Sequence, residues 1–213
     1  MKHLCIRGFL ALSACAMLLA GCGPSLSYTV SPDLIKRLPK NSRRSVFQAE
    51  TVVTIAVDRK SSVKRQIDNT RREIDRTEER IRKVHKEAAG AGARDAEKIN
   101  KEIDMLDAKI DFLHEQIDHL GMSLKLAEME LVLAKAQFEL AKVKLVKKHS
   151  IAFGGSEEDF VEQAKSIQED VDGMRKDVDE DAADLKRGEE EWLAVKKKYF
   201  SSIGESSKGW WTE

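Results

Sequence analysis

The segment LKLAEMELVLAKAQFELAKVKLV, residues 124–146, sets the architecture of this chain. Placed on a helix at about 100° per residue, its leucines, valines and alanines fall on two opposite sides. One side continues a long apolar seam. The other carries a second stripe, which consists of Met122, Leu126, Met129, Leu133, Ala136, Leu140 and Val143. One neighbouring helix cannot cover both sides, so we expect a different neighbour on each.

This segment is part of a long helix predicted over residues 93–148. Its main seam repeats every seven residues without a polar interruption, which is typical of a coiled coil. The seam consists of Ile103, Ile110, Ile117, Leu124, Leu131, Phe138 and Leu145, alternating with Ile99, Leu106, Leu113, Leu120, Ala127, Ala134 and Ala141. No proline follows Pro39, so a helix of this length is permitted.

A second seam predicts a helix over residues 43–89. It consists of Val46, Val53, Ile67, Ile74, Ile81 and Ala88, with Lys60 as its one break, while Ala49, Ala56, Val63 and Val84 fill the alternating position beside Thr70 and Thr77. The run TVVTIAV at 51–57 would also fit a strand, but the heptad phase continues through it, which favours the helix. Gly90 and Gly92 end the pattern.

A third helix is predicted over residues 157–200. Ser156 can cap its start, where acidic residues also favour the helix dipole. Its seam runs through Ala164, Val171, Val178, Leu185, Trp192 and Tyr199, and is weakened by Asp181 and Gly188.

Short glycine turns make neighbouring helices antiparallel. We therefore predict an all-α fold, an elongated antiparallel three-helix bundle that extends into a two-helix coiled-coil hairpin. The third helix would fill the second stripe, beside apolar residues that the first helix adds at the same level, namely Phe47, Val52, Ile55 and Val57. The hairpin would begin beyond Ser62 and before Asp118. The alternative makes the second stripe an oligomer or partner surface.

Composition narrows the function. With 6% aromatic and 35% charged residues, the chain is closer to a coiled coil than to an enzyme core. The 37 basic and 37 acidic residues give a net charge of zero, which does not favour binding to nucleic acid.

The first residues predict export and lipidation. A short basic start and the apolar run GFLALSACAMLLA form a signal peptide over residues 1–21, too short to span a bilayer. The run ends in Leu19-Ala20-Gly21-Cys22, which resembles the lipobox of bacterial lipoproteins. The resemblance implies cleavage before Cys22 and a lipid anchor there, a diacylglycerol with acyl chains such as palmitate. Gly23 after the cysteine favours the periplasmic face of the outer membrane, with the inner membrane as the alternative.

The two ends of the mature chain are predicted to be flexible. Residues 22–42 hold the lipidated cysteine and a linker with prolines and serines, and residues 201–213 form a tail. Trp210 and Trp211 in this tail either fold back onto the bundle or bind a partner.

We find no sequence pattern for catalysis, a cofactor or a metal. His114 and His119 are five residues apart and cannot share one ion as a four-residue spacing would, so we expect solvated side chains. The acidic run from Glu169 to Asp184 lacks the ligand spacing of an EF-hand.

These features predict a non-enzymatic lipoprotein that serves as a scaffold or accessory subunit of an envelope assembly. Its partners would be the membrane, a protein of the envelope and, as a further option, other copies of the chain. AEMELVLAKAQFELAKVKL resembles the helical hairpins of periplasmic adaptors, which implies a component of a secretion or efflux complex as one alternative. A holdase-type periplasmic chaperone is the other.

Overall fold

The computed structural model describes residues 26–90 and 92–204, and these residues form helices and connecting turns without a strand. A short helix, α1, spans Pro32–Lys36, and the three long ones are α2 (Lys40–Ala88), α3 (Ala93–Lys148) and α4 (Glu157–Ile203). The all-α bundle is confirmed, and each long helix ends within three residues of its predicted bounds. Residues 51–57 lie inside α2, which excludes the strand.

The central helix is α3. Both α2 and α4 pack along its length, whereas no comparable packing joins α2 to α4 within the described residues. The three helices are held at one level by Glu130, whose carboxylate lies 2.8 Å from Arg59 of α2 and 3.1 Å from Arg175 of α4. Over most of its length the bundle is therefore a layer of three helices with α3 in the middle, rather than a closed triangle.

The second stripe of α3 is covered by α4. Leu126 and Leu133 of α3 are buried with Val171 of α4, and Ile167 and Met174 pack against them. This confirms that the third helix supplies the second neighbour that the opposed stripes require.

The main seam of α3 faces α2. The buried side chains of α2 are Val46, Ile67, Thr70, Ile74, Thr77 and Val84, which follow the predicted seam. Thr70 satisfies its buried hydroxyl by donating to the Gln66 carbonyl at 3.1 Å. The heptad phase therefore identifies the inner side of α2 correctly even where the seam carries threonine.

The predicted two-helix hairpin is wrong in one respect, because α4 accompanies it. Tyr199 and Phe200 of α4 are buried with Val84 of α2 and with Met105 and Leu106 of α3. The apolar seam of α4 continues beyond Asp181 and Gly188. Its last aromatic residues therefore reach the end of the bundle at which α2 turns into α3. That end is therefore a three-helix core.

The predicted linker also differs from the structure, which describes it from residue 26 onward. Residues 26–38, here called the strap, pack against the bundle: Val30 is 5% exposed and Leu38 is 1% exposed. Val30 joins a buried cluster with Val143, Val146 and Phe160. Its N–H donates to the carboxylate of Glu139 at 2.7 Å, and the N–H groups of Ser27 and Tyr28 donate to the side-chain oxygen of Gln163. Residues 26–38 therefore form a packed segment rather than a free tether.

Candidate functional site

Four large apolar side chains of α2 point away from the bundle. Phe47 is 64% exposed, Ile55 63%, Val52 47% and Val57 43%. We call these four residues the α2 patch. Most other large apolar side chains of the described chain are at least partly covered, so the patch is the main apolar surface that folding leaves open.

The sequence places these residues at the level where the third helix completes the bundle, but the structure leaves them exposed. α2 turns Val46, Ala49, Val53 and Ala56 toward α3, because these residues lie on the heptad seam. A third helix could cover the other sides of α2 only by packing against α2, and α4 packs along α3 instead. The α2 patch is left in solvent because α3 is the one helix that α2 packs against at the level of the patch.

The α2 patch has a basic border. Residues 47–58 contain two charged residues, the exposed acids Glu50 and Asp58, whereas the more distant Lys40, Arg44 and Arg65 are exposed cations on the same helix. These three cations have no ion pair among the described residues. By contrast, Arg59 and Lys60 are held by Glu130 and Glu128 of α3 at 2.8 and 2.9 Å. A partner that covers the patch would therefore meet apolar side chains and the carboxylates of Glu50 and Asp58 at the centre, and unpaired cations farther out along the helix.

The strap fixes the end of the bundle from which α2 starts. Glu139, only 8% exposed, accepts from Val30 N–H and pairs with Lys142 at 2.6 Å. Arg43 donates to the carbonyls of Lys36 and Leu38 and so ties the start of α2 to α1. The α2 patch begins only a few residues after this anchored point.

The predicted lipidation site, Cys22, and the predicted partner-binding residues, Trp210 and Trp211, lie outside the described residues. Their roles stay predictions. None of the described helices carries a stretch long and apolar enough to cross a membrane.

The two histidines have different surroundings. His114 is exposed, in line with the expected solvated side chain. His119 is only 17% exposed at its side chain, and its Nδ1 lies 2.7 Å from the carboxylate of Asp181 on α4, so the expectation is wrong for this residue. In the sequence, Asp181 interrupts the apolar seam of α4, and this interruption was the signal that a polar residue of α3, here His119, lies opposite it.

The second break in that seam has a similar cause. A Cβ atom added at Gly188 would clash with the carboxylate of Glu115, so the missing side chain makes room for a polar group of α3. Both polar breaks in the seam of α4 therefore lie opposite polar residues of α3. No group of His, Cys, Asp and Glu residues suited to a metal ion occurs in residues 26–90 and 92–204.

Comparisons with known proteins found no match, neither to a protein family, nor to a curated protein, nor to a solved structure.

Proposed function

We propose that this protein is a lipoprotein, anchored through Cys22 at the periplasmic face of the outer membrane, that serves as a non-enzymatic scaffold or accessory subunit of an envelope assembly. The observation that carries the proposal is the α2 patch, an apolar surface with an unpaired basic border on a long helix. Large exposed apolar surfaces of this kind are typical of protein–protein contacts.

The basic border favours a partner other than a second copy of this surface. If two α2 patches met in antiparallel fashion, Lys40 of one copy would face Arg65 of the other, and in a parallel pair Arg44 would face Arg44. Like charges at the edge of an interface oppose association. A protein with an apolar centre and an acidic edge fits the patch better.

The strap supports a scaffold role. Only three residues separate Cys22 from Leu26, where the described chain begins, and an extended chain spans at most about 3.6 Å per residue. A lipid on Cys22 would thus hold the base of the bundle close to the membrane, and α3, with 56 residues at about 1.5 Å each, would reach roughly 80 Å from there if it stood upright. The α2 patch, in the first half of α2, would lie in the membrane-proximal half of the bundle.

The docking role is tested by placing a photoreactive residue at Ile55 or, as the matched control, at Asn69, which is also exposed on α2 but outside the patch. We expect one discrete cross-linked product in the native envelope from position 55 and none from position 69. The product should disappear when Phe47→Glu is added, because a buried carboxylate opposes the apolar contact.

Other outcomes assign other functions. A broad set of products from position 55 would favour the chaperone alternative, and a product with the mass of two chains would show self-association through the patch. Equal products from positions 55 and 69 would contradict the docking site.

The anchor is tested separately. Cys22→Ser should abolish incorporation of labelled fatty acid and release the protein from membranes, whereas Cys5→Ser and Cys15→Ser should leave both unchanged. Normal labelling of the Cys22→Ser protein would refute the anchor and leave the patch to be judged by its cross-links alone.

A further inference from the structure

A second surface feature lies toward the opposite end of the bundle, where all three long helices meet. It is a groove of about 300 Å³. Its lining consists of Glu73, Arg76, Thr77, Arg80, Met105, Leu106, Lys109, Trp192 and Lys196. We call it the three-helix groove. It shares no residue with the α2 patch, and its role does not depend on the function proposed above.

The floor of the three-helix groove is apolar and closely packed. Met105 and Leu106 are 5% and 7% exposed and belong to the three-helix core. The Trp192 ring is stacked on Phe112 of α3, with 5.5 Å between the ring centroids and 4° between the planes. Packed aromatic and aliphatic side chains of this kind form the preformed, mostly apolar walls that small-molecule sites share.

The rim of the groove is cationic. Arg76, Arg80, Lys109 and Lys196 line it, against Glu73 as its one acidic residue. Glu73 is shared, since Lys109 contacts it and Arg76 lies 3.7 Å from it. Arg80 is held by Glu102, 2.6 Å away. The groove therefore carries more positive than negative charge on its own lining.

Lys196 is the cation that is free to meet a ligand. Within the described part of the chain it has no carboxylate partner, and its ammonium lies 5.1 Å from the centroid of the Trp192 ring. The Trp192 indole N–H is buried without a hydrogen-bond acceptor among those residues. An anionic group beside Lys196 would supply the missing charge partner at the mouth of an apolar groove.

We propose that the three-helix groove binds a small amphipathic anion, with one aliphatic chain against Met105, Leu106 and Trp192 and an acidic head group beside Lys196. The volume lies at the lower end of the range for small-molecule sites, which suits one chain rather than a two-chain phospholipid. The acidic head group follows from charge, because Lys196 has no carboxylate partner among the described residues while the other cations of the rim contact carboxylates.

The test uses the full chain with Trp210→Phe and Trp211→Phe, so that Trp192, the one remaining tryptophan of three, reports on the groove. Dodecanoate, dodecanol and dodecyltrimethylammonium, which share one alkyl chain, are titrated below the micelle concentrations of the two ions and below the solubility limit of the alcohol. We expect a saturable change in Trp192 fluorescence with dodecanoate, at least tenfold weaker binding of the alcohol, and no saturable change with the cation.

Variants then locate the head group. Lys196→Glu should weaken dodecanoate binding about tenfold, because it replaces an attractive charge with a repulsive one. Lys197→Glu is the matched control, since this neighbour is exposed and does not line the groove, and it should change binding by less than about twofold. The head-group series on the parent chain remains decisive if Lys196→Glu fails to fold.

Three results would overturn the proposal. These are the absence of saturable binding of dodecanoate, equal binding of the cationic amphiphile, and equal effects of Lys196→Glu and Lys197→Glu. Binding that appears only after residues 205–213 are removed would also overturn it, because the occupant would then be the chain's own C-terminal segment.

Discussion

Replacing Leu126 with alanine tests the packing that defines this fold, the cover that α4 provides for the second stripe of α3. Leu126 is 4% exposed and contacts the cluster that contains Leu133 and Val171. Leucine-to-alanine changes in protein cores cost about 2–5 kcal/mol, depending on how far the site can collapse. The site lies between two helices with solvent at its edges, so we expect the lower part of that range, about 2–3 kcal/mol. For a domain of this size such a loss lowers Tm by roughly 4–12 °C.

The free energy of unfolding is measured by urea and thermal denaturation of the chain from residue 26 onward. The loss of helix is monitored by circular dichroism. Ile55→Ala is the matched control, because it removes a branched aliphatic side chain of equal size from a position that is 63% exposed. We expect this control to change the free energy of unfolding by no more than about 0.5 kcal/mol. If Leu126→Ala unfolds like the parent, or if Ile55→Ala costs as much as Leu126→Ala, then α4 does not cover the second stripe and α2 is not open.

Further predictions concern the strap and the helices. Glu139→Ala leaves the buried Val30 N–H without its acceptor, so we expect a loss of about 1–3 kcal/mol and faster proteolysis within residues 26–38, while unchanged proteolysis would contradict a packed strap. Gly173→Ala should raise the free energy of unfolding by up to about 1 kcal/mol, because an added Cβ meets nothing within 4 Å there. Gly188→Ala should raise it less, because the Glu115 side chain must move aside. Chemical unfolding of both variants tests this order. Ser156→Ala removes the capping box with Asp159 and should cost about 1 kcal/mol in chemical unfolding. The backbone N–H of Glu158 and the Ser156 side chain hold the pKa of Glu158 below its usual value, so its contribution to stability is present at neutral pH and is lost as the pH falls through that lowered pKa; in Ser156→Ala an NMR titration should show the pKa of Glu158 rising.

The helices themselves could be predicted from the sequence because their signals are local. Ser156 caps α4 as expected: its hydroxyl accepts from the Asp159 N–H at 3.2 Å, and the Asp159 carboxylate accepts from the Ser156 N–H. Gly204 ends the same helix in the left-handed region, at φ 76°, where glycine has no steric penalty. Heptad spacing identified which side of α2 is buried, down to Thr70 and Thr77, because the angle between two residues on a helix depends only on their separation.

The candidate site could be predicted only in part. The residues of the α2 patch are apolar in the sequence, but their exposure depends on whether α4 packs against α2 or only against α3. The pairing of His119 with Asp181 likewise needs two helices to meet at one level, and the histidine alone gave no sign of it. The polar breaks at Asp181 and Gly188 were visible, but their partners on α3 were not.

The sequence by itself determines the three long helices and the two turns between them. It also determines that the second stripe of α3 needs a neighbour of its own, because helical periodicity sets the direction of every side chain relative to the helix axis. Periodicity does not say how separate helices meet. Only their packing leaves α2 with an open side, carries α4 to the far turn to form the three-helix groove, and holds residues 26–38 as a strap. The contact that holds the strap joins Val30 to Glu139, 109 residues apart, and such a pairing depends on how complete faces of different helices fit together.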